Sequence, residues 1–224
     1  MKTTLPLLFY TLASTAFAHG VITEVQGANG VTLPGLSVID GTPRDCASPL
    51  CGSEADTSII RDRELGTGRA SALGRTQAGG PVDAAKMVAL FMDAAGGNSS
   101  SAKAARHLHL AARQLFGGRG GAAKGSKTPK GTTETGVAAA AGVAASDGLP
   151  TTDDDGVIRM TFHQVNQDGA GPLTAAVDAT SGGQDPSAFK SAQVTQDVPG
   201  IGFGGLSGAS TVDFPVAVKM PAGM

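Results

Sequence analysis

Several short segments of the chain alternate apolar and polar residues with a period of two, the pattern of half-buried β-strands. In residues 157–165, the side chains of Ile158, Met160 and Phe162 share one face, and polar side chains alternate with them. The other alternating segments are residues 20–26, 193–198 and 211–219. Pro215 lies inside the last segment, and because proline cannot donate a ladder hydrogen bond, it predicts an edge strand there.

Helical patterns are confined to the middle of the chain. Residues 82–93 are rich in Ala and Met, and they follow Pro81, a favourable first residue for a helix. Residues 101–116 form a second candidate helix, opened by serine and closed by glycines. Short strands around one or two helices predict a mainly β protein, an immunoglobulin-like β-sandwich with loop and short helical insertions. The alternative is an α+β domain.

The amino-acid composition favours a folded domain and excludes some classes of function. The chain has 224 residues with 33 Gly and 12 Pro, and its hydrophobic fraction of 41% is enough to build a core. A chain of this length normally forms one domain. The net charge of −2 lacks the basic field that a dedicated nucleic-acid binder needs, so no nucleic-acid partner is expected.

The N-terminal residues 1–18 have the pattern of a secretory signal peptide. Lys2 supplies the positive start, residues 5–13 form a short apolar run, and Ala16 and Ala18 give a small-x-small cleavage site. The run is too short to cross a bilayer, and no later segment is apolar enough, so no membrane span is expected. Cleavage after Ala18 predicts a secreted, extracellular protein whose residues 19–224 form a single β-rich domain.

Residues 96–133 differ in composition from the rest of the chain. They hold 7 of the 17 Lys and Arg residues and no acidic residue, and their second half is rich in Gly and Lys. This composition predicts a flexible basic insert, with a basic amphipathic helix docked on a membrane surface as the alternative. Asn98 begins an Asn-Ser-Ser sequon, which predicts glycosylation in a secreted protein.

The chain has two cysteines, Cys46 and Cys51. In an oxidising compartment this pair predicts a disulfide. Because the closed loop is small, the bond is expected to stabilise the fold by only about 2 kcal/mol. A metal site at this pair is disfavoured, since the sequence has no second cysteine pair.

Two glycine-rich patterns resemble catalytic motifs without their context. Residues 200–205 match G-x-G-x-x-G, but no helix pattern follows them, so a dinucleotide site is not predicted. Residues 205–209 miss the nucleophile elbow of serine hydrolases at the fifth position, which is Ala209.

His19 and His163 are the candidate metal ligands. After signal cleavage, His19 would offer its α-amine and its imidazole, and His163 would add a third nitrogen. Such a set suits copper, which prefers tetragonal coordination by nitrogen and oxygen. His163 is expected on the polar face of its strand, reaching the surface, and Phe214 is the candidate for an axial position. The alternative is that His19 follows the cleavage site by chance and His163 only hydrogen-bonds at the strand end.

Several motifs together resemble the Egh-type secreted appressorial virulence factors of filamentous fungi. They are His19 to Ile22 at the cleavage site, residues 41–46, 56–62 and 74–76, the long stretch 163–172, and residues 213–215. The resemblance implies an extracellular protein that acts around host penetration, in a family without a generally established enzymatic activity. Its N-terminal and internal histidines look like the histidine brace of lytic polysaccharide monooxygenases.

The resemblance therefore predicts a virulence-associated protein that acts at the host surface during appressorial penetration and binds copper through a histidine brace. A host surface or cell-wall component is the expected partner. One alternative is a non-catalytic extracellular effector or surface protein without a metal, and another is a copper-dependent polysaccharide oxidase. Family members often continue beyond the position of Met224 into a cysteine-bearing tail, so a truncated gene or a subgroup with fewer disulfides is expected.

Overall fold

The computed structural model describes residues 19–93, 125–201 and 205–223. Its strands are β1 (Gly20–Gln26), β2 (Thr32–Leu33), β3 (Arg75–Thr76), β4 (Gly80–Pro81), β5 (Ser126–Lys127), β6 (Val157–Gln164), β7 (Ala175–Val177), β8 (Lys190–Gln196) and β9 (Val212–Lys219). The helices are α1 (Ala84–Met92), α2 (Gly136–Ala140) and α3 (Val143–Asp147), and 3-10 turns cover Pro49–Cys51, Asp62–Glu64 and Pro186–Ala188.

One curled antiparallel sheet dominates the described part of the chain. Its strand order is β2-β1-β6-β9-β8-β7, and β5 also pairs with β9. Strands β3 and β4 form a separate two-stranded sheet. The fold is therefore mainly β and sandwich-like, with short helical insertions, which confirms the prediction from the alternating segments.

The alternating residues of β6 and β9 build the larger core. Phe162 lies opposite Phe214 in the register of these strands, and Ile158 lies opposite Val218. These four side chains are buried together in one apolar cluster, to which Val216 and Val198 also belong. Because burial of each large apolar side chain contributes about 1.5–3 kcal/mol, this face holds the sheet together.

A smaller core joins the helices to the edge of the sheet. It consists of Val31, Leu33, Phe91, Ala140 and Ala144. Helix α1 begins at Ala84, three residues after the predicted first residue Pro81, because Pro81 belongs to β4 and Asp83 caps the helix by accepting a hydrogen bond from the Lys86 amide at 3.0 Å.

Pro215 does not mark an edge strand, so that prediction was wrong. Strand β9 is central, with β6 along one side and, along the other, β5 and β8, which each pair with only part of it. On that second side β5 pairs up to Asp213 and β8 pairs from Ala217 onward. Pro215 lies between these two neighbours, where the missing N–H of proline costs least.

Part of the predicted basic insert belongs to the sheet. Ser126 and Lys127 pair with β9, and Thr133 forms an isolated bridge with Pro43. Thr128, between them, is buried. The candidate helix at residues 101–116 and the sequon at Asn98 lie outside the described residues.

A buried ion-pair network fastens the long segment before α1. Arg44 donates to both carboxylate oxygens of Asp56, at 2.9 and 2.5 Å, and to Glu134 at 2.9–3.0 Å. Although burial alone would lower the pKa of Arg44, the hydrogen bonds and charges of Asp56 and Glu134 raise it above its usual value. The guanidinium therefore stays charged and links segments that are distant in sequence.

The predicted disulfide is present. Cys46 and Cys51 are bonded, and the loop that they close carries Leu50 almost fully into solvent. No helix in the described ranges is long and apolar enough to cross a membrane.

Candidate metal centre at the start of the first strand

The pairing of β1 with β6 brings His19 and His163 to one end of the sheet. Val21 lies opposite His163, and the Val165 amide donates to the His19 carbonyl at 3.0 Å. Because side chains alternate along strands, this register places both histidines on the same face as diagonal neighbours. Backbones of diagonal neighbours are about 7–8 Å apart, within reach of long side chains.

His163 is completely buried, with 0% of its surface exposed. The expectation that it reaches the surface was therefore wrong. The face that looked polar in the sequence is covered at this end of the sheet, where Val21 and Val165, on the same face as His163, are also buried. The His163 Nδ1 atom lies 2.7 Å from the Asp213 carboxylate, directly opposite on β9, whereas its Nε2 atom has no hydrogen-bond partner.

The ring of His19 lies between two carboxylates. Its Nδ1 atom is 3.0 and 3.1 Å from the two oxygens of Asp168, and its Nε2 atom is 3.3 Å from Glu54. Asp168 lies on the partly exposed side of the ring, whereas Glu54 is buried. Each ring nitrogen of His19 thus meets a different carboxylate in a different environment.

The turn after β6 holds these carboxylates in place. Glu54 accepts a hydrogen bond from the side-chain Nδ2 atom of Asn166 at 2.9 Å. The Gln164 Nε2 atom lies 2.8 Å from the Asn166 carbonyl, the Ser207 hydroxyl and the Ala209 carbonyl, and its two N–H groups are shared among these three acceptors. This network connects the turn to the strands on both sides. The backbone that carries Asp168 is therefore held in position.

Gly169 allows the turn to approach the His19 backbone. A β-carbon built on Gly169 would lie 2.1 Å from the His19 carbonyl oxygen and 3.3 Å from the His19 nitrogen. Since no real side chain tolerates the first contact, glycine is required at this position. The backbone nitrogen that signal cleavage would free lies beside the turn that carries Asp168.

The site has the donor chemistry of a metal centre only in part. In the ranges that the structure describes, no group of three or more His, Cys, Asp or Glu side chains is arranged to hold a metal ion. Two features nevertheless suit a metal: His163 has an orphaned buried nitrogen, and the other ring nitrogen of each histidine faces a carboxylate (Asp213 or Glu54), as is usual behind metal-bound imidazoles. The residues therefore fit a metal if the His19 amine is free to add a donor.

Phe214 does not belong to this centre. It pairs with Phe162 and lies in the apolar cluster, on the face of the sheet opposite to His163. The axial role considered for it is therefore wrong.

The sequence patterns single out the two histidines but not their carboxylate partners. Asp168 and Asp213 stand within the motifs that carried the family resemblance, so their sequence positions gave a usable signal. Glu54 is distant in sequence from both histidines, and no pattern in the sequence indicates that it packs beside His19.

Comparisons with known proteins place the chain among fungal virulence factors. A family model described as Egh16-like virulence factor matches residues 17–224. The chain is 67% identical over 227 residues to the Appressoria-specific virulence factor GAS2 of Pyricularia oryzae, covering 100% of this chain and 78% of that protein. It is also 40% identical over 74 residues to the Appressoria-specific virulence factor GAS1 of the same species, covering 33% of this chain and 28% of that protein. No solved structure matches the sequence significantly.

Proposed function

The chain belongs to the Egh16-like virulence factors, and from this premise we propose that it is secreted, acts at the host surface during appressorial penetration, and binds copper through His19 and His163. The name of its relative describes a virulence factor specific to appressoria. The pattern of residues 1–18 supports export. The Cys46–Cys51 disulfide agrees with an oxidising compartment.

The observation that carries copper binding is the state of His163. A buried nitrogen without a partner costs about 1–3 kcal/mol, so the Nε2 atom calls for a physical explanation. Asp213 holds the Nδ1 atom and thereby directs the lone pair of the imidazole to Nε2. A metal ion bound at Nε2 would satisfy this atom.

His19 supplies the other donors of the proposed site. Its Nδ1 atom and its free α-amine would close a six-membered chelate ring with one ion, whereas its Nε2 atom points to Glu54. Together with His163 this gives three nitrogens, a set that suits the tetragonal preference of Cu²⁺. When bound, copper supplies Lewis-acid and one-electron chemistry; the residues contribute orientation and charge.

A second candidate function is a metal-free effector. It is favoured by the ring of His19, which Asp168 and Glu54 already hold without any ion. In that case the two histidines would only stabilise the end of the sheet where β1 pairs with β6.

The test is a copper titration of correctly processed protein that begins at His19. We expect one Cu²⁺ per chain at nanomolar affinity, lost in His163→Ala and in a protein with one extra residue ahead of His19. His109→Ala, which removes a histidine elsewhere in the sequence, serves as the control and should bind like the wild type. Binding that is indifferent to both changes would refute the copper site at His19 and His163.

A polymer-oxidation assay on the copper-loaded protein separates the polysaccharide oxidase from a copper-holding protein. Release of oxidised oligosaccharides that stops in His163→Ala would establish the oxidase. Tight binding without oxidation would leave copper transport or sequestration.

A further inference from the structure

We propose that a small apolar patch on two neighbouring loops docks the protein on the surface of a zwitterionic phospholipid bilayer. This hairpin patch consists of Pro172, Pro199, Ile201 and Leu206, and all four residues are exposed. The inference goes beyond the proposed function and does not depend on copper binding.

Backbone pairing brings the two large side chains of the hairpin patch together. Ile201 is 65% exposed and Leu206 is 42% exposed. The two residues form an antiparallel bridge, in which the Ile201 amide donates to the Leu206 carbonyl at 3.0 Å. Residues directly opposite in such a pair have β-carbons about 4.5–5.5 Å apart on the same side. Isolated exposed apolar side chains are normal, whereas this pair forms one continuous apolar surface.

A second loop adds to this surface. A β-carbon built on Gly200 would lie 2.1 Å from the Gly171 carbonyl oxygen, so the two loops touch through their backbones. Pro172 and Pro199 are the chain neighbours of these glycines, and both are exposed. Apolar groups from two loops therefore lie at the same end of the molecule.

The two loops are fastened to each other and to the core. One oxygen of Asp197 accepts hydrogen bonds from the Leu173 amide at 2.9 Å and from the Val198 amide at 2.7 Å. Val198 belongs to the larger apolar core. The Ala170 amide donates to the Gly205 carbonyl at 2.8 Å. Because the backbone under the patch is held in this way, docking requires little further ordering of the chain.

The chemistry of the hairpin sequence favours lipid over a protein partner. Residues 198–206 contain no polar side chain, and residues 198–212 contain no charged one. Protein interfaces carry about one hydrogen bond per 100–200 Å², which requires donors and acceptors beside the apolar contacts. An acyl layer requires none, and binding to it increases with the apolar area that is buried.

Charge beside the patch selects the headgroup. The described parts of the two loops, residues 167–173, 197–201 and 205–207, contain Asp168 and Asp197 and no Lys or Arg. An anionic lipid surface would repel these carboxylates. Phosphatidylcholine carries no net charge and presents its ammonium group outermost, where it complements them.

Docking through the hairpin patch would bring the His19 end of the sheet to the bilayer. The Ser207 amide donates to the Gln167 carbonyl at 2.8 Å, and the next residue, Asp168, contacts the His19 ring. The bound protein would therefore hold its N-terminal residue near the lipid surface.

The experiment is vesicle flotation with phosphatidylcholine vesicles and the protein that begins at His19. We expect the wild type to float with the vesicles, and the double variant Ile201→Ser, Leu206→Ser to bind at least about tenfold more weakly, since two apolar side chains would no longer be buried. The matched control is Leu50→Ser, Ile60→Ser, which removes two other exposed apolar side chains and should bind like the wild type. Vesicles of equal parts phosphatidylcholine and phosphatidylserine should bind the wild type more weakly at low salt, and high salt should reduce this difference.

A measurement on the wild type makes the test independent of how the variants fold. Hydrogen–deuterium exchange of the peptide 198–209 should slow when phosphatidylcholine vesicles are added, whereas exchange of the peptide 46–60 should not change. Absence of wild-type flotation, or equal flotation of the wild type and the Ile201→Ser, Leu206→Ser variant, would overturn the proposal. Stronger binding to the mixed vesicles would overturn the choice of zwitterionic lipid. A wild-type dimer that the double variant loses, without vesicle binding, would show instead that the hairpin patch is a protein interface.

Discussion

Each histidine of the candidate centre presents one ring nitrogen to a carboxylate that is remote in sequence. Asp213 reaches His163 across the ladder of β6 and β9, and Glu54 reaches His19 from the segment after the disulfide loop. Such partners fix the orientation and the tautomer of an imidazole. The carboxylates therefore orient both imidazole rings without a bound ion.

The glycine beside His19 can be tested directly. We expect Gly169→Ala to lower the free energy of unfolding by about 1–3 kcal/mol, because the new methyl group would meet the His19 carbonyl oxygen at 2.1 Å. Gly208→Ala is the matched control, since a β-carbon there has nothing within 4 Å. Urea unfolding of both variants checks the prediction, and equal stabilities would contradict it.

Local patterns in the sequence single out the two histidines, but they do not predict their surroundings. His19 was marked by the cleavage pattern and His163 by strand alternation, which are local signals. The burial of His163 depends on what covers its face of the sheet, and that follows from contacts between distant segments. Alternation states which residues share a face, but it does not state whether that face meets water.

At the scale of elements, short pieces of structure are held by side-chain charge. The 3-10 turn Asp62–Glu64 is fastened to β3 by Arg75, whose Nε atom donates to Glu64 at 2.6 Å, and Arg61 donates to the same carboxylate at 3.2 Å. The hydrogen bond from Arg75, with a weaker contribution from Arg61, outweighs burial and keeps the pKa of Glu64 below its usual range.

This contact predicts a loss of stability in acid. Because the folded state lowers the pKa of Glu64, its contribution is complete above the ordinary glutamate pKa of about 4.3 and disappears as the pH falls through the lower, folded value. Glu64→Gln removes the effect. We therefore expect the wild type to be more stable than Glu64→Gln at pH 7 and the difference to shrink toward pH 3, measured by urea unfolding. A difference that stays constant with pH would show that the charge of Glu64 does not matter.

Elements with a long alternating pattern were predictable, and two-residue strands were not. The segments that became β1, β6 and β9 carry seven or eight residues each, enough for the period to be visible. Strand β5 has two exposed polar residues and exists only because β9 offers an edge beside it. The prediction from Pro215 was wrong for the same reason. A proline is tolerated where the neighbouring strands end, and the sequence does not show where β5 and β8 end.

At the scale of the whole molecule, the Arg44 network links chain segments that are distant in sequence. Arg44, Asp56 and Glu134 are all nearly inaccessible to solvent. The amide of Ile39 also donates to Asp56, and the amides of Thr135 and Gly136 donate to Glu134. One guanidinium thus organises the segment that leads to Glu54 and the start of α2.

Removal of this guanidinium should be costly. We expect Arg44→Met to lower the free energy of unfolding by about 3–5 kcal/mol, because two carboxylates would remain buried without their cation. The control is Arg159→Met, whose side chain is 61% exposed and lies 3.7 Å from Asp153, and which should change stability by less than about 1 kcal/mol. Chemical unfolding of both proteins is the measurement. Similar losses in the two variants would mean that the buried network contributes no more to stability than the exposed ion pair of Arg159.

Strand β1 begins one residue after His19, so the sheet does not depend on the residue that forms the site at its end. The strand begins at Gly20, which already pairs with Gln164, so an aminopeptidase that removed His19 alone would leave this ladder in place. In the proposed processed chain, which begins at His19, the same cut would remove the imidazole that contacts Asp168 and Glu54 and leave the free amine on Gly20. Chains trimmed by one residue would therefore give the circular dichroism spectrum of the folded protein. They would differ from untrimmed chains only at this end of the sheet. Any preparation of this protein therefore needs its N-terminal residue verified by mass spectrometry.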